Sequence, residues 1–107
     1  MNDSVIVFCT CADESEAQRI ANTVIHERLA ACVNVLSAVR SIYQWQGRVE
    51  SAHEIPLMMK TTLQRFPALR DRIVSLHSYD TPEIVAVPIA AASEKYLSWL
   101  RESVTPA

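Results

Sequence analysis

The sequence predicts an α+β domain with an antiparallel sheet, and three observations carry that prediction. Short apolar runs and longer helical stripes follow one another as strand, helix, strand, strand, helix, strand, helix. Two adjacent extended arms, residues 32–43 and 48–60, fold back on each other through Gln44-Trp45-Gln46-Gly47. Gly47 is the only glycine among 107 residues, and it sits where a hairpin turn needs positive φ. This order is the split βαβ, or ferredoxin-like, arrangement, with a long hairpin and a C-terminal helix added. A chain of this length builds one core, so a single domain over residues 1–107 is expected.

Each element has its own local reason. Residues 5–10 begin Val5-Ile6-Val7-Phe8-Cys9, which fits a central strand covered on both faces. Asp13 begins the first helix, and Glu16 three residues on gives a capping-box-like start. Ala17, Ile20, Ala21, Val24, Ile25 and Leu29 keep the spacing of one buried stripe, with Glu16, Arg19 and Glu27 off it. In the first hairpin arm Val33, Val35, Val39 and Tyr43 share one face, while Cys32, Asn34, Leu36 and Ile42 share the other. Such an arm spans about 40 Å at about 3.3 Å per residue. A domain with a radius of gyration near about 13 Å cannot shelter both ends of that ribbon. A protruding ribbon carrying Ile42, Tyr43 and Trp45 invites aggregation unless another subunit covers it, so oligomerisation through the hairpin tip is expected.

Pro56 lacks an N–H for the ladder, which predicts a bulge or an edge-facing position in the second arm. Thr61 or Thr62 caps a second helix with Pro67 in its first turn and Phe66, Leu69, Ile73 and Leu76 on its buried side. Residues 77–82 read as a loop and 83–89 as a strand. Ser93 starts a last helix with Leu97, Leu100 and Val104 on one stripe. Right-handed crossovers place the first strand between the third and fourth, with helices on one face. The open face then asks for a partner or the last helix.

Composition narrows the function. Half the residues are apolar, 21% are charged and the formal net charge is −2, which argues against nucleic acid or an anionic membrane as partner. Met1-Asn2-Asp3-Ser4 lacks the positive region of a secretory signal, and the apolar run 84–92 is too short to span a bilayer, so the cytoplasm is the expected location. Three cysteines do not make a disulfide framework, and one glycine excludes a P-loop or a GxGxxG fingerprint.

The predicted topology brings chemistry together at one sheet edge. The end of the first strand (Cys9, Thr10), the start of the last (Glu83) and the end of the second helix (His77) meet there, within reach of Tyr43 and Trp45. Thiolate and imidazole suit soft or borderline ions such as copper and zinc. Each residue also has a plainer reading. Cys9 and Cys32 pack as small apolar residues, and Cys11, two positions after Cys9, starts a loop. His26 and His53 are solvated, and His77 complements the helix C-terminus. Tyr43 and Trp45 serve as interface anchors.

Several blocks resemble one known family when taken jointly. They are Glu27-Arg28-Leu29-Ala30-Ala31-Cys32-Val33-Asn34, Tyr43-Gln44-Trp45-Gln46-Gly47-Arg48-Val49-Glu50, Lys60-Thr61-Thr62, His77-Ser78-Tyr79-Asp80-Thr81-Pro82-Glu83 and Tyr96-Leu97-Ser98-Trp99-Leu100. In this order, over nearly the whole chain, they resemble the CutA family of divalent-cation tolerance proteins. The resemblance implies a ferredoxin-like subunit in a tight trimer whose hairpins extend neighbouring sheets. It implies a role in tolerance to divalent metals, with copper ahead of zinc as the bound ion and neither required for folding. The family's copper ligands fall on Cys9, His77 and Glu83. Two departures stand out: Leu76 occupies a position where some members carry a further histidine, and Ser78 replaces proline.

Three functions compete on this basis. The first is a non-enzymatic metal-responsive homotrimer with Cys9, His77 and Glu83 as ligands and no protein partner named. Its subunit interfaces and clefts would be formed around Tyr43, Trp45, Arg48, Glu50, Lys60 and Tyr79. The second is a PII-like regulator binding a small anion or metabolite between subunits, with Lys60, Arg48 and Glu83 on the rim. The third makes Cys9 a nucleophile with His77 as base, although no orienting group or oxyanion element is visible.

Overall fold

The computed structural model describes residues 2–106, and Met1 and Ala107, the ends of the expected domain, lie outside the described residues. Its elements are β1 (Ser4–Cys11), α1 (Glu14–His26), β2 (Cys32–Val35), β3 (Val39–Trp45), β4 (Arg48–Thr62), α2 (Phe66–Leu76), β5 (Ile84–Pro88) and α3 (Glu94–Ser103). The strands form one antiparallel sheet of order β2-β4-β1-β5, with β3 continuing alongside β4. β1 therefore lies between β4 and β5, as the crossover rule requires.

Period-two alternation decides which face is buried. Val5, Val7, Cys9 and Cys11 of β1 register with Thr61, Met59, Leu57 and Ile55 of β4, and all of these are buried. Against that face pack Ala17, Ile20 and Val24 of α1 with Leu69 and Ile73 of α2. Ile25, expected in the α1 stripe, is instead 40% exposed. α3 packs on β1 and β4, and its buried Leu97, Leu100 and Val104 stand apart from the main core, on the opposite side of the sheet. Phe8, Val85 and Val87 on that second side stay exposed.

The helix starts follow the expected chemistry with one exception. Asp13 Oδ1 accepts the Glu16 N–H at 2.8 Å, and Ser93 Oγ accepts the Tyr96 N–H at 3.4 Å. Thr61 and Thr62 belong to β4, and α2 has Arg65 at its N-cap with no side-chain cap. Thr62 Oγ1 accepts the Arg65 N–H at 3.3 Å, so it supports the turn before the helix instead.

The hairpin departs from the expected pair of unbroken arms. β4 runs 15 residues without interruption, but its partner is split into β2 and β3. Val35 pairs with Leu57 and Val39 with Glu54, so three residues on one side face two on the other. That extra residue is a bulge, and it lies opposite Pro56. The Pro56 carbonyl accepts the Leu36 N–H at 3.0 Å, which shows that the missing proline N–H faces the interrupted ladder. The expected bulge is present, carried by the first arm. At the tip Trp45 pairs with Arg48, and Gln46 (φ 50) and Gly47 (φ 78) make a two-residue turn with both φ values positive. The molecule measures 44 × 26 × 23 Å, the long dimension reflecting the protruding ribbon.

Candidate functional site

At the far end of β1 the strand runs one residue beyond expectation. Cys11 is thereby a strand residue, on the same buried face as Cys9. α2 ends at His77, which brings the imidazole to this edge. Cys9, Cys11 and His77 each offer a ligand atom, and these atoms lie within 4.8 Å of one another. Burial is nearly complete, at 1% exposure for Cys9, 0% for Cys11 and 0% for the His77 side chain.

The imidazole is held by both nitrogens. Nε2 donates to the Thr10 carbonyl at 2.8 Å, and Nδ1 accepts the Tyr79 N–H at 3.0 Å, the pattern of the Nε2–H tautomer. Glu16 Oε1 stands 3.8 Å from Nδ1. The Glu16 carboxylate is buried and accepts the N–H groups of Ala12 and Ser78. Burial pushes its pKa up, but the Ala12 and Ser78 hydrogen bonds and the nearby His77 outweigh that and leave it below the usual value. Hydrogen bonding with Cys11, then burial, then the neighbouring thiol and carboxylates push the Cys9 thiol strongly up. The Cys9 sulfur rests as a protonated thiol.

Glu83 lies elsewhere. The β1–β5 register ends at Cys9 and Ile84, and Glu83, just before β5, is not one of the convergent ligand group. It lines a cleft of about 690 Å³ with Thr10, Tyr43, Trp45, Glu54 and Tyr79. The structure thus brings Cys9 and His77 together, adds Cys11, and leaves Glu83 outside that group, near enough for its charge to act on the Cys9 thiol.

The expected cleft residues divide as well. Tyr43, Trp45 and Tyr79 line this cleft, whereas Arg48 and Glu50 lie exposed on the hairpin, paired with Trp45 and Tyr43. Lys60 donates to Asn34 on β2 and does not line the cleft. Tyr79 donates its hydroxyl to Glu54 Oε2 at 2.8 Å, and burial followed by that bond pushes the phenol up. Glu54 was missed in the sequence, and its only signal is a carboxylate set among Ile55, Pro56 and Leu57.

Fold and site together define a ferredoxin-like domain with an overlong β-arm and a thiol–imidazole group buried at one sheet edge. The family model described as CutA1 divalent ion tolerance protein matches residues 5–103. A divalent-cation tolerance protein CutA of Thermus thermophilus is 48% identical over 98 residues, 92% of this chain and 95% of its own. A solved structure of the divalent cation tolerance protein Cut A1 from the same organism superposes with a TM-score of 0.94 at 46% identity, covering 95% of this chain and 99% of its own. CutA from Archaeoglobus fulgidus, described as periplasmic, gives a TM-score of 0.93 at 35% identity over 95% of this chain and 99% of its own. The chain belongs to the CutA1 divalent ion tolerance family. Among the described residues no helix is long and apolar enough to cross a membrane.

Proposed function

We propose that this protein is a non-enzymatic, cytoplasmic, trimeric divalent-cation tolerance protein that takes up copper, or in its place zinc, at Cys9, Cys11 and His77. One observation carries the reading: two sulfurs and an imidazole nitrogen lie within 4.8 Å of one another in a chain of this family. Ligand atoms sharing one ion at about 2.0–2.3 Å are separated by at most about 4.6 Å, so small side-chain adjustments suffice. Thiol and imidazole form a donor set that selects a soft ion over magnesium or calcium. When bound, the ion would supply a charge that holds both sulfurs as thiolates. Glu16 and Glu83 add negative potential at the Cys9 thiol. Glu83 is proposed to act as a nearby charge, or as a ligand after the edge rearranges. Tyr43, Trp45, Arg48, Glu50, Lys60 and Tyr79 are proposed to form the subunit contacts and the clefts beside them.

Direct titration tests the metal site. Copper(I) under reducing conditions, and zinc separately, are titrated into the wild type and into a Cys9→Ala/His77→Ala variant with matched folding. Stoichiometric binding to the wild type and its loss in the variant are expected. Equal binding by the two proteins would remove the site.

A further inference from the structure

The cleft on the other side of β1 has a chemistry of its own. Its walls are aromatic, from Tyr43, Trp45 and Tyr79, and its charged groups are all carboxylates: Glu54, Asp80 and Glu83. No lysine, arginine or histidine lines it, and among the described residues none of these three acids takes part in a salt bridge.

Glu54 is the informative member. It is 8% exposed, and Tyr79 donates to its Oε2, while Oε1 has no hydrogen-bond partner among the described residues. Its Oε1 is open to the cleft, where a bound cation can meet it. Among the described residues the convergent ligand group is Cys9, Cys11 and His77, and the three carboxylates of the cleft form no such group. Acids spread around an aromatic cavity of about 690 Å³ match a cation with the size of an organic molecule.

We infer that this cleft binds a small organic cation, an amine or quaternary ammonium, with Glu54 and Glu83 facing the charge and Tyr43, Trp45 and Tyr79 facing the alkyl groups. The same lining disfavours the small anion that a PII-like reading of the cleft requires. Lys60 is engaged with Asn34 and Arg48 lies out on the hairpin, so neither supplies the positive rim.

The test uses the full chain in its natural assembly, with choline as the probe. Its uncharged isostere 3,3-dimethylbutan-1-ol and inorganic phosphate serve as comparisons. Binding is read by calorimetry and by the fluorescence of Trp45, with a Trp99→Phe background isolating that signal. Choline is expected to saturate, and the neutral isostere to bind more weakly by about tenfold or more, as is normal for loss of a charged partner. Glu54→Gln, which keeps the shape and the Tyr79 contact, is expected to weaken choline to a similar degree. Glu83→Gln gives a second reading if Glu54→Gln misfolds. Cys11→Ser, which leaves the His77–Tyr79 hydrogen bond in place, is expected to leave choline binding unchanged, which separates this site from the metal group. Equal affinity for choline and its isostere, preference for phosphate, indifference to both Gln substitutions, or no saturation by choline would each overturn the assignment.

Discussion

At the scale of single residues, Glu16 ties the site to the stability of the fold. One oxygen of its carboxylate accepts the Ala12 N–H at the end of β1, and the other accepts the Ser78 N–H beyond α2. It thereby joins the two segments that present Cys11 and His77. Glu16→Ala leaves both N–H groups without this partner, and a cost of about 2–4 kcal/mol is expected from two such losses. The pH dependence has a definite sign. A carboxyl whose folded pKa lies below its unfolded value adds stability above the unfolded value, and this contribution is lost as pH falls through the folded one. Melting temperatures from pH 6 down to about pH 3, at fixed protomer concentration, are expected to fall more steeply for the wild type than for Glu16→Gln. Parallel curves would deny Glu16 this role. The meeting of Cys9 with His77 was legible from strand order, because antiparallel pairing of β1 with β5 and the exit of α2 leave them one common edge. The membership of Cys11 was not, since a single further residue of β1 decides whether its thiol turns into the core or into a loop. The placement of Glu83 was not legible either, because it precedes β5 and no strand period fixes its side chain.

At the scale of elements, the hairpin shows what residue patterning conveys and where it stops. The tip was legible because one glycine in the chain marks it, and the turn does use positive φ at Gly47. Gln46 also takes positive φ, which no side-chain pattern announces. The break between β2 and β3 is set by register against Pro56, a relation between two strands that neither strand displays alone. Gly47 affords a clean measurement of the turn. A Cβ there meets no atom within 4 Å, so Gly47→Ala is strained only through its backbone. A loss of about 1 kcal/mol is expected, the usual cost of holding a non-glycine residue left-handed. Gln46→Asn should recover a few tenths of a kcal/mol, because asparagine tolerates this turn better. Chemical denaturation of the three proteins at one protomer concentration checks both signs, and a neutral Gly47→Ala would mean that the tip is free to re-form as another turn.

For the whole molecule, the question is what covers the surface that one chain leaves bare. Two separate apolar regions are exposed: Ile42 and Val49 on the hairpin, and Phe8, Val85 and Val87 on the sheet face away from α1 and α2. They are different surfaces of the same chain, so a contact between them joins the hairpin of one copy to the face of the next. Such a head-to-tail contact either closes into a ring or grows into a filament, and a soluble protein requires the ring. Two copies can close that contact reciprocally and three can close it as a ring, and sedimentation velocity is expected to find the trimer proposed above. Ile42→Asp/Val49→Asp removes the hairpin contact and Phe8→Asp/Val85→Asp removes the receiving face, so each variant alone is expected to sediment as a single chain. Mixed together, the two variants retain one intact hairpin and one intact face between them. They are expected to recover a heterodimer that goes no further, because the remaining surfaces of that pair are both impaired. Wild type sedimenting as a lone subunit would remove the trimer, and two variants that stay apart on mixing would show that the hairpin does not grip this face.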